Sequence, residues 1–440
     1  MPPPRSFSAH SARLYLAPFF AAAVLLGSAS ANPTTAQIIP SPEPGWPQFR
    51  GPRRDGTSAE GGLLQKWPES GPKVLWSADN LGRGYSSPIV VSDRIHLTGD
   101  ADGELRIFTL DRTGKPLWQT SHGAAWRDPY PGARATVTAR DGLLYLMNAH
   151  GRVGCFDAAT GQERWSLEVL SRFGGKNITW GLSECLLVDE RAVYVTAGGS
   201  AALVVALDRL TGEVLWKSAP LHDTTGDGSV ESPSYVSPIL VRFGDRRLLL
   251  GCSQRHLYCA DADTGVVQWT RRFPTTYAVI SMMPALIGDA VFMTAPHGQG
   301  GRLLQLKAGN PIAVIEGWST TLDTLQGCVV QVGEKLIGSY YGGRKGWAAL
   351  SSRTGDVLYE SSAYTKGAPL LADGRLYALC EDGSMLLLEA GEKQFHLHGR
   401  FRFAEAKRDA WAHPVIHDGR LYLRYHDKLT CFDVRAAGAQ

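Results

Sequence analysis

The stretch ALDRLTGEVLWK, residues 206–217, decides the fold because the chain repeats it. Close variants stand at 109–119 (TLDRTGKPLWQ), 155–166 (CFDAATGQERWS), 259–270 (CADADTGVVQWT) and 349–360 (ALSSRTGDVLYE). Each carries an apolar run into a turn and then to an aromatic residue. Asp suits the entry to such a turn because its carboxylate accepts hydrogen bonds from the amides that follow. Gly takes the positive φ that the turn demands. The closing aromatic falls at Trp76, Trp118, Trp165, Trp216, Trp269, Trp318, Tyr359 and, after the degenerate EAGEKQF, Phe395. Steps between these markers run from 36 to 53 residues, the size of a four-stranded propeller blade.

Within a unit the strands are legible. Residues 369–395 give an apolar run, an Asp373-Gly374 hairpin signal, a second alternating run, the turn EDG and a third strand, SMLLLEA. The same plan holds at 135–166 and 413–434. Asp-Gly between alternating apolar segments is the strongest short hairpin signal. No window has a helical period, so the class is all-β. After Phe395 the chain supplies three more strands, the last ending at CFDV (431–434), and KVLW (73–76) offers a Trp strand with no partners before it. Joined, they make one complete blade and remove an open edge. The expected architecture is an eight-bladed β-propeller of four-stranded antiparallel blades, the last closed by an N-terminal strand. Seven blades would follow if the unit ending at Phe395 packs differently. The large ring on each outer strand is expected to pack into the neighbouring blade.

Arg5 and Arg13 precede the apolar run LYLAPFFAAAVLLG, and small residues follow at Ala29 and Ala31. That pattern is a secretory leader over 1–31. Residues 32–72 read as an N-terminal extension and 73–440 as the propeller. Without the two leader arginines the net charge falls from +3 to +1. With no Lys/Arg block, nucleic-acid binding has no support. No later segment is apolar enough to span a bilayer, so the expected product is exported, periplasmic or extracellular. The seven cysteines cannot all pair. Cys155, Cys259 and Cys431 share one repeat position and Cys252 and Cys380 another, which fits small apolar filler in a core. A link between Cys252 and Cys259 stays open.

With A-x-D-x-x-T-G-x-x-x-W recovered several times, the chain resembles the pyrroloquinoline-quinone (PQQ)-like β-propeller family from about Gly45 to its C-terminus. WPQFRGPRRDGTS (46–58), YSSPIVV, NITWGLSE and WAHPVIHDGRLYLR are similar to phrases of bacterial exported members. The resemblance implies two kinds of protein: quinoprotein alcohol dehydrogenases, and non-catalytic members such as the scaffold lipoprotein of the outer-membrane β-barrel assembly machinery. The dehydrogenases use calcium beside the quinone and an acidic base. This chain has no Cys-Cys pair and no C-x-x-C-H haem site. The favoured reading is therefore an exported binding or scaffold propeller whose partner is an envelope protein or a small organic or carbohydrate ligand. The alternatives are a PQQ- and calcium-dependent oxidoreductase with Glu184 or Asp128 as base, and a cell-envelope polysaccharide-binding module.

Loops that precede the inner strands converge on one face of a propeller. They carry Tyr85 with Ser86, Arg134, Trp180 with Glu184, Tyr235, Tyr277, Lys366, Trp411 and His413. Rings with a few polar groups suit a flat organic ligand. The loop 124–136 is the richest, with Trp126, Arg127, Asp128 and Tyr130 beside Arg134. No metal site is assigned. GDADGEL (99–105) lacks the full calcium-loop spacing and reads as a hairpin. DTTGDGSVE (223–231) reads as a solvated loop, His396 and His398 as exposed edge residues, and NIT (177–179) as a coincidental match.

Overall fold

Eight antiparallel sheets of consecutive strands stand around a common axis, at residues 89–124, 138–168, 187–217, 239–272, 285–320, 330–361, 367–402, and 415–433 joined by 73–78. They are numbered here as blades 1 to 8. The computed structural model describes residues 1–4, 35–273, 275–342 and 344–438; the leader read over 1–31 lies, after its first four residues, outside them. Strand Lys73–Ala78 pairs antiparallel with Lys428–Asp433 and closes blade 8. The one α-helix among the described residues, Val169–Phe173, precedes blade 3. No helix there is long and apolar enough to cross a membrane.

The repeated phrase does three things. Asp208 accepts the amides of Leu210 and Thr211, both at 2.9 Å, and so sets the turn. Gly212, like Gly114, Gly161, Gly265 and Gly355, has φ between 75 and 86°. The third task joins blades. A Cβ on Gly265 would lie 2.5 Å from Trp216 of the preceding blade, and one on Gly355 would lie 2.3 Å from Trp318. The rings of Trp76, Trp118, Trp165, Trp216 and Trp318 thus lie on the next blade's turn glycine. Three of these indole N–H groups donate to a carbonyl of that turn: Trp76 to Arg112, Trp165 to Arg209 and Trp216 to Ala262, each at 3.0 Å.

All eight outer strands carry a β-bulge just before the position that holds the aromatic residue in the repeats. A bulge twists an exposed edge away from pairing and re-aims the following side chain. In blade 7 the residue after the bulge is Gly399, not Phe395. Phe395 packs edge-on against Tyr359 at 5.0 Å. The missing ring comes from elsewhere: a Cβ on Gly399 would lie 2.6 Å from Trp67, whose ring meets Tyr377 at 5.7 Å as Trp216 meets Tyr194 at 5.9 Å. Trp67 thus fills the ring position that the degenerate seventh unit leaves open.

Residues 36–67 are built into the propeller. Ala36–Ile38 adds a fifth strand to blade 4, on the inner strand Ile239–Phe243. Trp46 bridges Val90 of blade 1, Thr57 bridges Leu371 of blade 7, and the Ala139 amide of blade 2 donates to Pro47 at 2.8 Å. Only the axis is bordered by inner strands of so many blades, so residues 46–57 cross the central channel. Arg50 and Arg54 are each 3% exposed. Arg54 donates to the carbonyls of Cys185 (2.6 Å) and Leu186 (3.1 Å) and to Gln48 (3.1 Å). Arg50 donates to the carbonyl of Val329 (2.6 Å) and lies 3.3 Å from Nδ1 of His413.

All seven cysteines are buried and unbridged. The loop 223–231 is held by cations of blade 4. Arg272 donates to Asp223 at 2.9 and 3.0 Å, and Arg255 to Glu231 at 2.8 Å. In 99–105, Asp102 turns the hairpin and pairs with Arg106 at 3.1 Å. A bulge at His398 breaks its alternation with His396, and His398 lies 2.8 Å from Glu389.

Candidate functional site: an aromatic mouth over a filled channel

In a propeller the loop entering each inner strand and the turn between its second and third strands open on the same face. On this face the side chains form an almost continuous chain of contacts. Trp180 and Tyr235 stand 6.1 Å apart, and the Tyr235 hydroxyl accepts the Trp180 amide at 3.3 Å. Arg134 lies over Trp126 at 5.5 Å and Tyr85 at 6.0 Å. Tyr85 and Tyr130 flank Trp411 at 4.8 and 5.3 Å. The Trp411 indole donates to Glu381 at 3.1 Å. Lys366 lies 3.6 Å from Glu381 and 3.8 Å above the Tyr341 ring. His297 then links Tyr341 and Tyr277 at 5.0 and 4.8 Å.

The charged groups of this ring are spent internally. The Arg134 guanidinium donates to the carbonyls of Trp180 (2.7 Å), Gly132 (2.7 Å), Tyr130 (2.8 Å) and Pro129 (3.2 Å), so it organises the 126–134 loop. Glu381 is buried and receives Gln326 (2.7 Å) as well as Trp411 and Lys366. What the mouth offers a visitor is ring faces: Trp180, Trp411 and Tyr235 half-buried, Tyr277 and Tyr130 exposed.

His413 and Glu184 lie beneath the mouth. His413 is buried between Arg50 and the Gln326 carbonyl (2.9 Å), and burial pushes its imidazole down to about 3. Glu184, 1% exposed, accepts the Thr196 amide at 3.2 Å, and burial raises its carboxyl to about 8 despite the nearby Arg54 charge. Asp128 stands exposed on the 126–134 loop. Burial favours the protonated form of the Glu184 carboxyl, which does not suit a general base, and Asp128 lies on an exposed loop.

Glu184 yields a pH-dependent outcome. Its folded value lies above the unfolded one, so the unfolded chain gives up the proton first. This contribution is complete below about pH 4.5 and is lost as pH rises towards 8. Glu184→Gln keeps an acceptor for Thr196 and removes the ionisation. The variant should gain roughly 2–4 kcal/mol over wild type between pH 5 and pH 8, read as diverging denaturant midpoints. Parallel midpoints would refute a protonated Glu184.

Sequence reasoning placed Tyr85, Arg134, Trp180, Tyr235, Tyr277, Lys366 and Trp411 on this face, and contacts link them there. It missed Tyr341, His297 and Glu381, which lie on turns between second and third strands. Those turns share the face, and that was the available signal. It also missed the arginines of the channel.

The fold and mouth define a PQQ-repeat propeller whose axis is filled by its own N-terminal segment. The family profile described as outer membrane protein assembly factor BamB, a PQQ-repeat profile, matches residues 57–200 and 101–338, and the chain belongs to that family. It is 26% identical over 223 residues to the outer membrane protein assembly factor BamB of Kangiella koreensis, a match covering 50% of each chain. It is 28% identical over 170 residues to the 1-butanol dehydrogenase (quinone) of Thauera butanivorans, covering 36% of this chain and 25% of that one. The chain thus spans half or less of these two relatives. The crystal structure of BamB from Moraxella catarrhalis superposes with a TM-score of 0.58 at 16% identity, over 83% of this chain and 99% of that one, a likeness of fold.

Proposed function

We propose that this chain is an exported, non-catalytic propeller that holds an envelope protein on its aromatic mouth. The observation that carries this reading is the spent charge of the mouth. Arg134, Lys366 and Glu381 are committed to the protein's own atoms, whereas Trp180 and Trp411 are half-buried and Tyr130 and Tyr277 exposed, so the accessible surface of the mouth is largely aromatic. Rigid aromatic side chains give large contact area at low entropic cost and serve as anchors for protein partners. The BamB relatives, named as assembly factors, support a protein partner.

The test is affinity capture from envelope extract with wild type and with Trp180→Ala/Trp411→Ala. The expected result is a polypeptide retained by wild type and lost at least tenfold by the double variant, with both proteins melting alike. Equal capture by both would remove the mouth from binding. Saturable PQQ binding with calcium and dye reduction on alcohols would replace the reading by an oxidoreductase.

A further inference from the structure

The same face holds a second cleft, at the seam where blade 8 meets blade 1. It is open to solvent and spans about 790 Å³, within the range of small-molecule sites. Its walls are the loop after Lys73–Ala78, the turns 101–104 and 425–428, the 403–414 loop, and side chains of the outer strands of blade 1, Phe108 and Gln119. Outward from Tyr85, it meets the mouth through His426, whose ring lies 5.6 Å from that tyrosine.

Three features define what it takes. First, its lining alternates donors and acceptors with little net charge. Asp100, Asp102, Asp409 and Asp427 face Arg83, Arg106 and Lys407, with Asn80 and Gln119 between them. Second, some of these groups are spent and others free. Arg106 pairs with Asp102 at 3.1 Å, and Asp409 accepts the Tyr425 hydroxyl at 3.0 Å. Arg83, Lys407 and Asp427 have no ion pair among the described residues. Third, two buried polar atoms of the wall are orphaned. Asp100 accepts the Trp126 amide through Oδ2 at 3.2 Å, but Oδ1 has no partner among the described residues. His426 lies 2.9 Å from Asp409 through Nε2, while Nδ1 is without a partner there. Both atoms are sealed behind the cleft wall, so a ligand hydroxyl reaches them only if the Asp100 or His426 side chain turns.

We propose that this cleft binds a neutral, polyhydroxylated sugar chain. Vicinal hydroxyls both donate and accept, so a carboxylate beside a guanidinium or ammonium satisfies both capacities at once. The half-buried Tyr425 ring supplies apolar surface for the C–H face of a pyranose. A strongly charged polymer gains nothing from a lining in which the signs nearly cancel. The cleft adjoins the mouth at Tyr85 but has its own lining, and its ligand is distinct from the protein partner proposed above.

The experiment is calorimetric titration of the whole mature chain with cellotetraose, maltotetraose and chitotetraose, with tetragalacturonate as charged control. At least one neutral tetrasaccharide should bind saturably. Asp427→Asn and Arg83→Ala, both at exposed positions, should each weaken it at least tenfold, while Trp180→Ala leaves it unchanged. No neutral sugar binding, binding that survives both cleft variants, or binding confined to tetragalacturonate would overturn the proposal.

Discussion

Arg54→Ala should lower stability by about 3 kcal/mol or more, and the loss should appear first in the N-terminal segment. The guanidinium lies fully inside the channel, where burial lowers it to about 10, and it holds the Cys185 and Leu186 carbonyls and Gln48 together. Truncation strands these acceptors in a site from which water is excluded and leaves a void on the axis. Lys cannot replace it, because a single ammonium does not reproduce the planar fork that reaches three acceptors at once. The measurement is a denaturant midpoint combined with limited proteolysis. The variant should unfold earlier and be cut within residues 40–60 while the blades stay resistant. An unchanged midpoint with equal protection would mean that the segment only decorates the channel.

The second large effect concerns the turn glycine of the repeat. Gly265→Ala should cost about 3–4 kcal/mol, combining a left-handed backbone with overpacking. Its φ is 76°, and the new methyl would lie 2.5 Å from Trp216 of the preceding blade. Gly374→Ala is the matched control: φ is 73° with nothing within 4 Å of the added carbon. It should cost only about 1–2 kcal/mol. The difference in thermal midpoint isolates the contact between blades. Equal losses at both positions would show that the glycine serves the turn alone and that Trp216 does not depend on it.

The eight blades were legible because five of them repeat the same local instruction at a regular spacing. Asp208, Gly212 and Trp216 act within a dozen residues of one another, so their pattern survives in a linear reading. The roles of Trp67, Arg50 and Arg54 were not legible in this way. Each occurs once, has no periodic partner, and finds its environment through residues more than a hundred positions away. WPQFRGPRRDGTS (46–58) could be matched to a family, but nothing in its composition says that it crosses the axis. The mouth was half legible. Residues just before inner strands are placed by the repeat itself, which brought Tyr85, Trp180 and Trp411 into view. Whether a charge there is free or spent depends on backbone carbonyls: Arg134 looks like a ligand-binding cation in sequence and is a loop clamp in the fold. Phe395 shows the reverse hazard. It stands at the expected spacing, yet the bulge at His398 puts Gly399 in the aromatic position.

The central proposal is that the mouth binds a polypeptide. Capture from envelope extract on wild type and on Trp180→Ala/Trp411→Ala, with both melting curves recorded, addresses it most directly. The account predicts a discrete polypeptide on wild type, its loss from the double variant, and superimposable melting curves. Identical capture by the two proteins would contradict it.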